Sequence, residues 1–309
     1  MDKEKIFNKR LKGFAAEGEL TVFNLACVAE ALDTIAELKE QNVGGETVEK
    51  RIGEYKSWDP EIFKVDKDCE DGFRERLQQR GLKVILLSEE AGRVEINLEA
   101  DGELIYCIAD PFDGSYLFKR GIEDFWYSSL AFYDKDFNII STCVGDAVPR
   151  RIAFVNDQGA FITEIGDGKL VNKFKLNKEY RETMGRKDVT DLASASIESY
   201  AMKPKKFLLP LVDKYRTVME PFKFFLPNGG PYAFADVAEG KIDCYFATRQ
   251  PFVDVFSGIA IAEKAGCIVT DFNGEKVKPT DDVKSMHDVL ATTNQTLHDQ
   301  VLNLISKCG

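Results

Sequence analysis

The sequence is poor in the residues that several kinds of chemistry require. Its 309 residues include two histidines, His287 and His298, both near the C-terminus. That argues against a zinc centre and against a histidine-activated nucleophile. Both read as surface residues. Seven cysteines (Cys27, Cys69, Cys107, Cys143, Cys244, Cys267 and Cys308) stand singly, with no C-x-x-C pair. An odd number, mostly inside apolar runs, fits reduced core thiols in the cytoplasm rather than a disulfide framework. Positive charge is also short: 41 Lys and Arg against 52 Asp and Glu give a net charge of −11. This argues against nucleic acid or an anionic membrane as the main partner. No hydrophobic run approaches a membrane span, and the first ten residues lack the apolar stretch of a signal peptide.

What is present, 44% hydrophobic and 30% charged residues, suits a globular protein with a large core, in one domain or two tightly joined ones. Residues 1–42 carry Leu20, Phe23, Cys27, Ala31, Ile35 and Leu38 at helical spacing, which predicts an amphipathic packing helix. Residues 43–63 read as a loop with a short helix inside, and Lys56 within it as a solvated lysine. A strand end then runs into a helix over 64–77, with Asp66 at the junction and Glu70 one turn on. Residues 84–92 form a buried strand that leads into Glu89 and Glu90. Strands over 125–134, 139–144, 151–155 and 160–163 form one sheet, with Asp157-Gln158-Gly159 as a turn. A polar, basic stretch from Lys173 to Asp191 marks a domain boundary. Beyond it strand and helix alternate: strands at 193–196, 222–226, 242–247, 267–270 and 289–292, helices at 205–215, 233–239, 254–265 and 297–306.

The chemistry concentrates in Y-C-I-A-D-P-F-D-G-S-Y-L-F, residues 106–118. The apolar run Leu104–Ile108 reads as a buried strand, and Pro111 and Gly114 predict that it stops near Asp110. Two carboxylates, Asp110 and Asp113, then converge at a strand end, as hard cations such as Mg²⁺ prefer. The N–H groups of Gly114 and Ser115 follow as an anion cradle. An Asp-Pro…Asp-Gly surface turn would look the same locally. Asp254 opens a helix and has an ordinary N-cap reading as well.

The order of these pieces is more telling than any one of them. Asp66 to Glu70, Ser88-Glu89-Glu90, Asp110 to Ser115, and Val253-Asp254-Val255-Phe256-Ser257-Gly258 up to Glu263-Lys264-Ala265-Gly266-Cys267 follow one another along the chain. Together they resemble the motifs of the Mg²⁺-dependent, lithium-sensitive phosphatases of the inositol monophosphatase and fructose-1,6-bisphosphatase superfamily. The resemblance covers about residues 60–275 and is nearest to the archaeal-type members with both activities. It implies an α-β-α-β-α layered sandwich, of mixed α/β and α+β character, with an antiparallel N-terminal sheet and a mixed C-terminal sheet. Residues 1–185 would form the first domain and carry most metal ligands; residues 186–309 would form the second.

By the same resemblance, Glu89, Asp110, Asp113 and Asp254, with the Phe112 carbonyl, would hold two or three Mg²⁺. Asp66, Ser115 and Glu90 would serve catalysis, Asp66 and Ser115 by positioning or deprotonating the attacking water. Gly114, Ser115, Asn228, Gly229, Gly230 and Arg249 would contact phosphate or substrate. The implied substrate is a small sugar or polyol phosphate, inositol-1-phosphate or fructose-1,6-bisphosphate first, and the implied assembly a homodimer. Two alternatives share the motifs: a 3′-phosphoadenosine 5′-phosphate phosphatase, and a catalytically silent relative that binds a phosphorylated ligand or a protein. The chain departs from the inositol-specific pattern where a sugar-contacting glutamate is replaced by Ala247 and a tryptophan by Val253.

Overall fold

The computed structural model describes residues 3–51, 56–166 and 168–308. The chain opens with helices α1 (Lys3–Gly13) and α2 (Glu19–Glu40), then strands β1 (Thr47–Lys50) and β2 (Glu61–Phe63), and helix α3 (Lys64–Arg80). Strands β3 (Val84–Ser88), β4 (Gly92–Ile96) and β5 (Ile105–Asp113) lead into the short helix α4 (Ser115–Lys119). Then come β6 (Tyr127–Tyr133), β7 (Ile139–Asp146), β8 (Arg151–Asn156), β9 (Gly159–Ile165), β10 (Leu170–Lys175) and α5 (Lys178–Thr183). The remainder is β11 (Ser196–Glu198), α6 (Leu209–Met219), β12 (Phe224–Leu226), α7 (Ala233–Glu239) and β13 (Cys244–Pro251). It ends with α8 (Phe252–Phe256), α9 (Ile259–Lys264), β14 (Ile268–Thr270), β15 (Met286–Thr292) and α10 (Gln295–Ile305).

Side-chain alternation along the strands builds the layers. In the eight-stranded sheet, ordered β10-β9-β8-β7-β6-β5-β3-β4, Leu86, Cys107, Phe132 and Phe154 face a core shared with α1, α2 and α3. Their neighbours Leu87, Ile108, Ala131 and Val155 face the opposite way, into a core with α7, α8 and α9. Tyr245, Ala247 and Ala291 of the five-stranded sheet, ordered β12-β11-β13-β15-β14, close that central core. Its outer face, through Cys244, Phe246 and Leu290, packs on α6 and α10. The order helix, sheet, helix, sheet, helix is the layered sandwich expected. Both halves of the chain contribute to the central core.

Several local expectations change. Among the described residues, the segment between α2 and α3 forms the antiparallel pair β1–β2 rather than a loop with a helix; residues 52–55 of the expected loop lie outside the described residues. The first sheet is not wholly antiparallel, because β3 and β5 run parallel. The hairpin to β4 returns the chain to the starting end of β3, so β5 begins where β3 begins. β5 also continues past Pro111 to Asp113, since a one-residue bulge opposite β6 relieves the ladder at the proline. The helix expected over 254–265 is two, α8 and α9, parted at Ser257-Gly258. A Cβ on Gly258 would lie 2.3 Å from the Pro231 carbonyl oxygen, so the chain there is pressed against a neighbouring turn. Finally, His298 is buried, with Nδ1 3.0 Å from Thr292 Oγ1 and Nε2 2.9 Å from Thr270 Oγ1. The surface reading fails for it because the amphipathic α10 turns this face inward. Six cysteines are buried and free, as expected for core thiols.

Candidate active site

The parallel pairing of β3 with β5 builds the centre of the site. Ser88 lies opposite Ala109, and the Glu89 N–H donates to the Ala109 carbonyl at 3.2 Å. The next residues, Glu89 and Asp110, therefore emerge side by side. In a regular strand Asp110 and Asp113, three apart, would point to opposite faces. The pairs Asp110 with Ser129 and Asp113 with Tyr127 show three residues on β5 against two on β6. That extra residue restores both carboxylates to one side.

Asp254 comes from the second half of the chain, in the first turn of α8. Buried hydrogen bonds hold that helix to the first sheet. Ser129 Oγ donates to Ser257 Oγ at 2.7 Å, Tyr133 Oη to the Phe256 carbonyl at 2.6 Å, and Thr142 Oγ1 to the Ser257 carbonyl. As a result, oxygens of Glu89, Asp110 and Asp254 all lie within 4.8 Å of one another. Both Asp110 oxygens and Asp254 Oδ1 are buried without a hydrogen-bond partner. Such oxygens are costly unless a cation meets them, and an all-oxygen donor set suits a hard divalent ion. Asp113 stands beside them, its Oδ2 against Gly230.

Electrostatics agree with the geometry. Burial, then the charges of Glu89, Asp113 and Asp254, push the Asp110 carboxyl well above its usual range. Burial and then Asp254 do the same to Asp113. Burial lifts Asp254 to about 6 despite Lys56. Glu89 is the exception: burial raises it, but Lys56 and Arg51 together outweigh that and hold it low. Carboxylates that raise one another in this way are ones a cation would stabilise in the charged form.

Asp66 sits one layer out, at the start of α3. Its Oδ2 accepts the Phe63 N–H at 2.7 Å and its Oδ1 is buried without a partner. Burial pushes it up to about 7, against the lowering effect of Ser115 and the Phe63 N–H, so Asp66 and Ser115 are neighbours. Glu70, one turn on, accepts from Ser88 Oγ. Gly114 has φ +106°, and a Cβ there would lie 2.2 Å from the Phe125 carbonyl oxygen. Only glycine lets the chain turn from β5 into α4 at this point. The Phe112 side chain is buried against Phe118.

Other expected residues behave differently. Lys56 is buried, not solvated, with Nζ 2.6 Å from Glu89 Oε1. Lys56 thereby stands against the acidic cluster, where a buried cation is compensated. Glu90 is half-buried and paired with Arg51, which also reaches Glu89 at 2.9 Å. Asn228 spends its side-chain N–H donors inside the protein, on Glu198 at 2.8 Å and Tyr127 at 3.3 Å. Arg249 is exposed at a bulge of β13, its backbone N–H bound to Asp288. Among the described residues no hydrogen bond or ion pair joins its side chain to the cluster. Ala247 is fully buried in the central core. Sequence reasoning missed Arg51, Lys203 and Glu198. Lys203 pairs with Asp59 and lowers Glu89 and Asp254. Nothing local distinguishes Arg51 or Lys203 from the other basic residues around them.

Comparison with known proteins bears on this arrangement directly. The profile of the inositol monophosphatase family matches residues 18–309. A fructose-1,6-bisphosphatase/inositol-1-monophosphatase of Thermococcus kodakarensis is 26% identical over 283 residues, 88% of this chain and 94% of that protein. A fructose-1,6-bisphosphatase of Pyrococcus furiosus is 28% identical over 244 residues, 78% of this chain and 82% of that protein. The crystal structure of the extragenic suppressor protein suhB from Bartonella henselae shares the fold, with a TM-score of 0.73 at 19% identity, covering 94% of this chain and 99% of its own. With nearly the whole chain matched by the profile, this protein belongs to the inositol monophosphatase family.

Proposed function

We propose that this phosphoric monoester hydrolase releases phosphate from small sugar or polyol phosphates, fructose-1,6-bisphosphate and inositol-1-phosphate first, with Mg²⁺ as cofactor. The observation that carries the proposal is the convergence of Glu89, Asp110 and Asp254, with unpartnered buried oxygens, from two halves of the chain. Glu89, Asp110, Asp113, Asp254 and the Phe112 carbonyl would hold two or three ions. Bound Mg²⁺ would supply Lewis-acid charge neutralisation and lower the pKa of a coordinated water.

The chain's own residues have distinct tasks. Asp66 is within reach of Ser115 and has a free carboxylate oxygen. It orients the attacking water through Ser115 and accepts its proton, as a base with a pKa near neutrality can. The Gly114 and Ser115 N–H groups bind the phosphate oxygens. Glu90 holds Arg51 and thereby supports Glu89. Gly229 and Gly230 let their turn press against Tyr200 and Asp113, and their backbone is placed here as a contact for the substrate. Arg249, exposed on β13, is placed here as a contact for a second phosphate. The names of the relatives and the absence of a polar side chain at Ala247 both favour a sugar phosphate over an inositol-specific site.

We further propose a cytoplasmic homodimer inhibited by lithium at a Mg²⁺ position. The test is phosphate release with Mg²⁺, and again with EDTA, from inositol-1-phosphate, fructose-1,6-bisphosphate, 3′-phosphoadenosine 5′-phosphate and an aryl phosphate. Mg²⁺-dependent release from the first two is expected. No release from any of them, at any Mg²⁺ concentration, would sink the proposal.

A further inference from the structure

A buried glutamate outside the acidic cluster has no role in the chemistry so far described. Glu198 ends β11, is fully buried, and accepts from Asn228 Nδ2 at 2.8 Å through Oε1. Its Oε2 is buried with no partner. A carboxyl in such a place is retained at a cost unless it does something for its neighbours.

Its surroundings show what that is. The same Asn228 amide reaches Tyr127 Oη at 3.3 Å, and Tyr127 is the cross-strand partner of Asp113. Tyr245, the β13 neighbour of Glu198, accepts the Gly230 N–H on its Oη at 3.2 Å. Two adjacent positions of the C-terminal sheet thus grip the 228–230 turn at both ends. The turn in turn abuts the site, since a Cβ on Gly230 would fall 2.2 Å from Asp113 Oδ2. Beneath it, the Pro231 carbonyl presses on Gly258. The 228–230 turn is therefore wedged between the second sheet and a carboxylate of the acidic cluster.

We propose that Glu198 is a positioning residue, which through Asn228 fixes the 228–230 turn and so limits where the Asp113 carboxylate can rest. This rests on the reading of Asp113 as a metal ligand given above. Supports of this kind, one step behind the ligands, typically alter metal affinity or activity by about 10–100-fold when removed. Burial and then the Asp236 charge push the Glu198 carboxyl well above its usual range. In its neutral form glutamine is a close mimic that keeps an acceptor for Asn228.

The experiment measures phosphate release against Mg²⁺ concentration for Glu198→Ala, Glu198→Gln, Asn228→Ala and the Glu198→Ala/Asn228→Ala double variant, with Asp110→Asn alongside. Thermal stability in EDTA is recorded for each. The Mg²⁺ concentration for half-activation should rise about tenfold or more in Glu198→Ala and Asn228→Ala. The double variant should be no worse than the weaker single one, because both remove one link. Glu198→Gln should stay within about threefold of the parent, the scale of one modest hydrogen bond. A purely structural role would lower stability in EDTA while leaving the Mg²⁺ midpoint of the folded fraction unmoved, and that result overturns the proposal. Should Glu198→Ala not fold, an unshifted midpoint in Asn228→Ala overturns it equally. An active Asp110→Asn would instead overturn the site assignment itself.

Discussion

Replacing Gly230 by alanine tests the geometry of the site through one methyl group. The added Cβ would lie 2.2 Å from Asp113 Oδ2, whereas real Cβ contacts essentially never fall under 3.0 Å. One side must therefore give by at least the 0.8 Å between these values. The turn has little freedom to retreat, because the Pro231 carbonyl already presses on Gly258. The Asp113 carboxylate is the far end of a side chain that no hydrogen bond among the described residues fixes, so it is the part that moves. Misplacing a reacting or positioning group by about 1 Å can cost on the order of 100-fold in rate. Gly230→Ala should accordingly lose about 100-fold in kcat/KM, or about 2.7 kcal/mol of transition-state stabilisation, and need more Mg²⁺ for half-activation. The backbone adds a second effect. Gly230 has φ +83°, a conformation that costs a non-glycine residue about 1–3 kcal/mol of stability. A suitable control is Gly72→Ala, in the middle of α3 with nothing within 4 Å of its Cβ. That change should stabilise the helix by about 0.5–1 kcal/mol and leave activity alone. The assay is steady-state phosphate release across a Mg²⁺ series, with thermal unfolding of each variant. A folded Gly230→Ala protein with unchanged kcat/KM and Mg²⁺ midpoint would refute the reasoning, since Asp113 could then move without consequence.

Three further outcomes follow from the same structure. Asp110→Asn should abolish turnover, because it removes a charge from the middle of the cluster; measurable Mg²⁺-dependent release from this variant would show that the site lies elsewhere. EDTA should lower the unfolding temperature and Mg²⁺ restore it, as an ion at 100 times its Kd adds about 2.7 kcal/mol to the folded state; a melting curve indifferent to both would contradict a cation in the cluster. His298 should make the protein acid-sensitive. Burial lowers its pKa from 6.5 to about 4, so between those values the unfolded chain binds a proton that the folded one does not. Stability is then full above pH 6.5 and falls as the pH drops towards 4, by up to about 3 kcal/mol. Denaturant titrations of His298→Gln should show a shallower loss over that interval, and an unaltered slope would assign the acid response to other groups.

The residues of the candidate site were legible in the sequence because their chemistry is local. A proline and a glycine around two aspartates, a pair of glutamates after an apolar run, and an aspartate at the head of a small-residue helix can each be seen without a structure. The layered architecture was legible through the family resemblance that these motifs carry; apolar periodicity by itself marked strands and helices, each of which demands a partner surface. Tertiary structure alone decided how these pieces meet. β3 and β5 had to be parallel for Glu89 and Asp110 to emerge together. A bulge invisible in the pattern had to reverse the alternation between Asp110 and Asp113. Lys56 looked like a solvated lysine because the charged residues around it in the sequence, Glu54, Asp59 and Glu61, suit an exposed loop; Glu89, 33 positions later, is what it meets in the fold. Glu198 and Asn228 lie 30 residues apart, and no spacing rule joins them. Sequence determines what each residue can do, since composition and local backbone preference act over a few positions. Which carboxylates share a cation, and which lysine faces them, depends on contacts between distant segments, and only the packed chain fixes those.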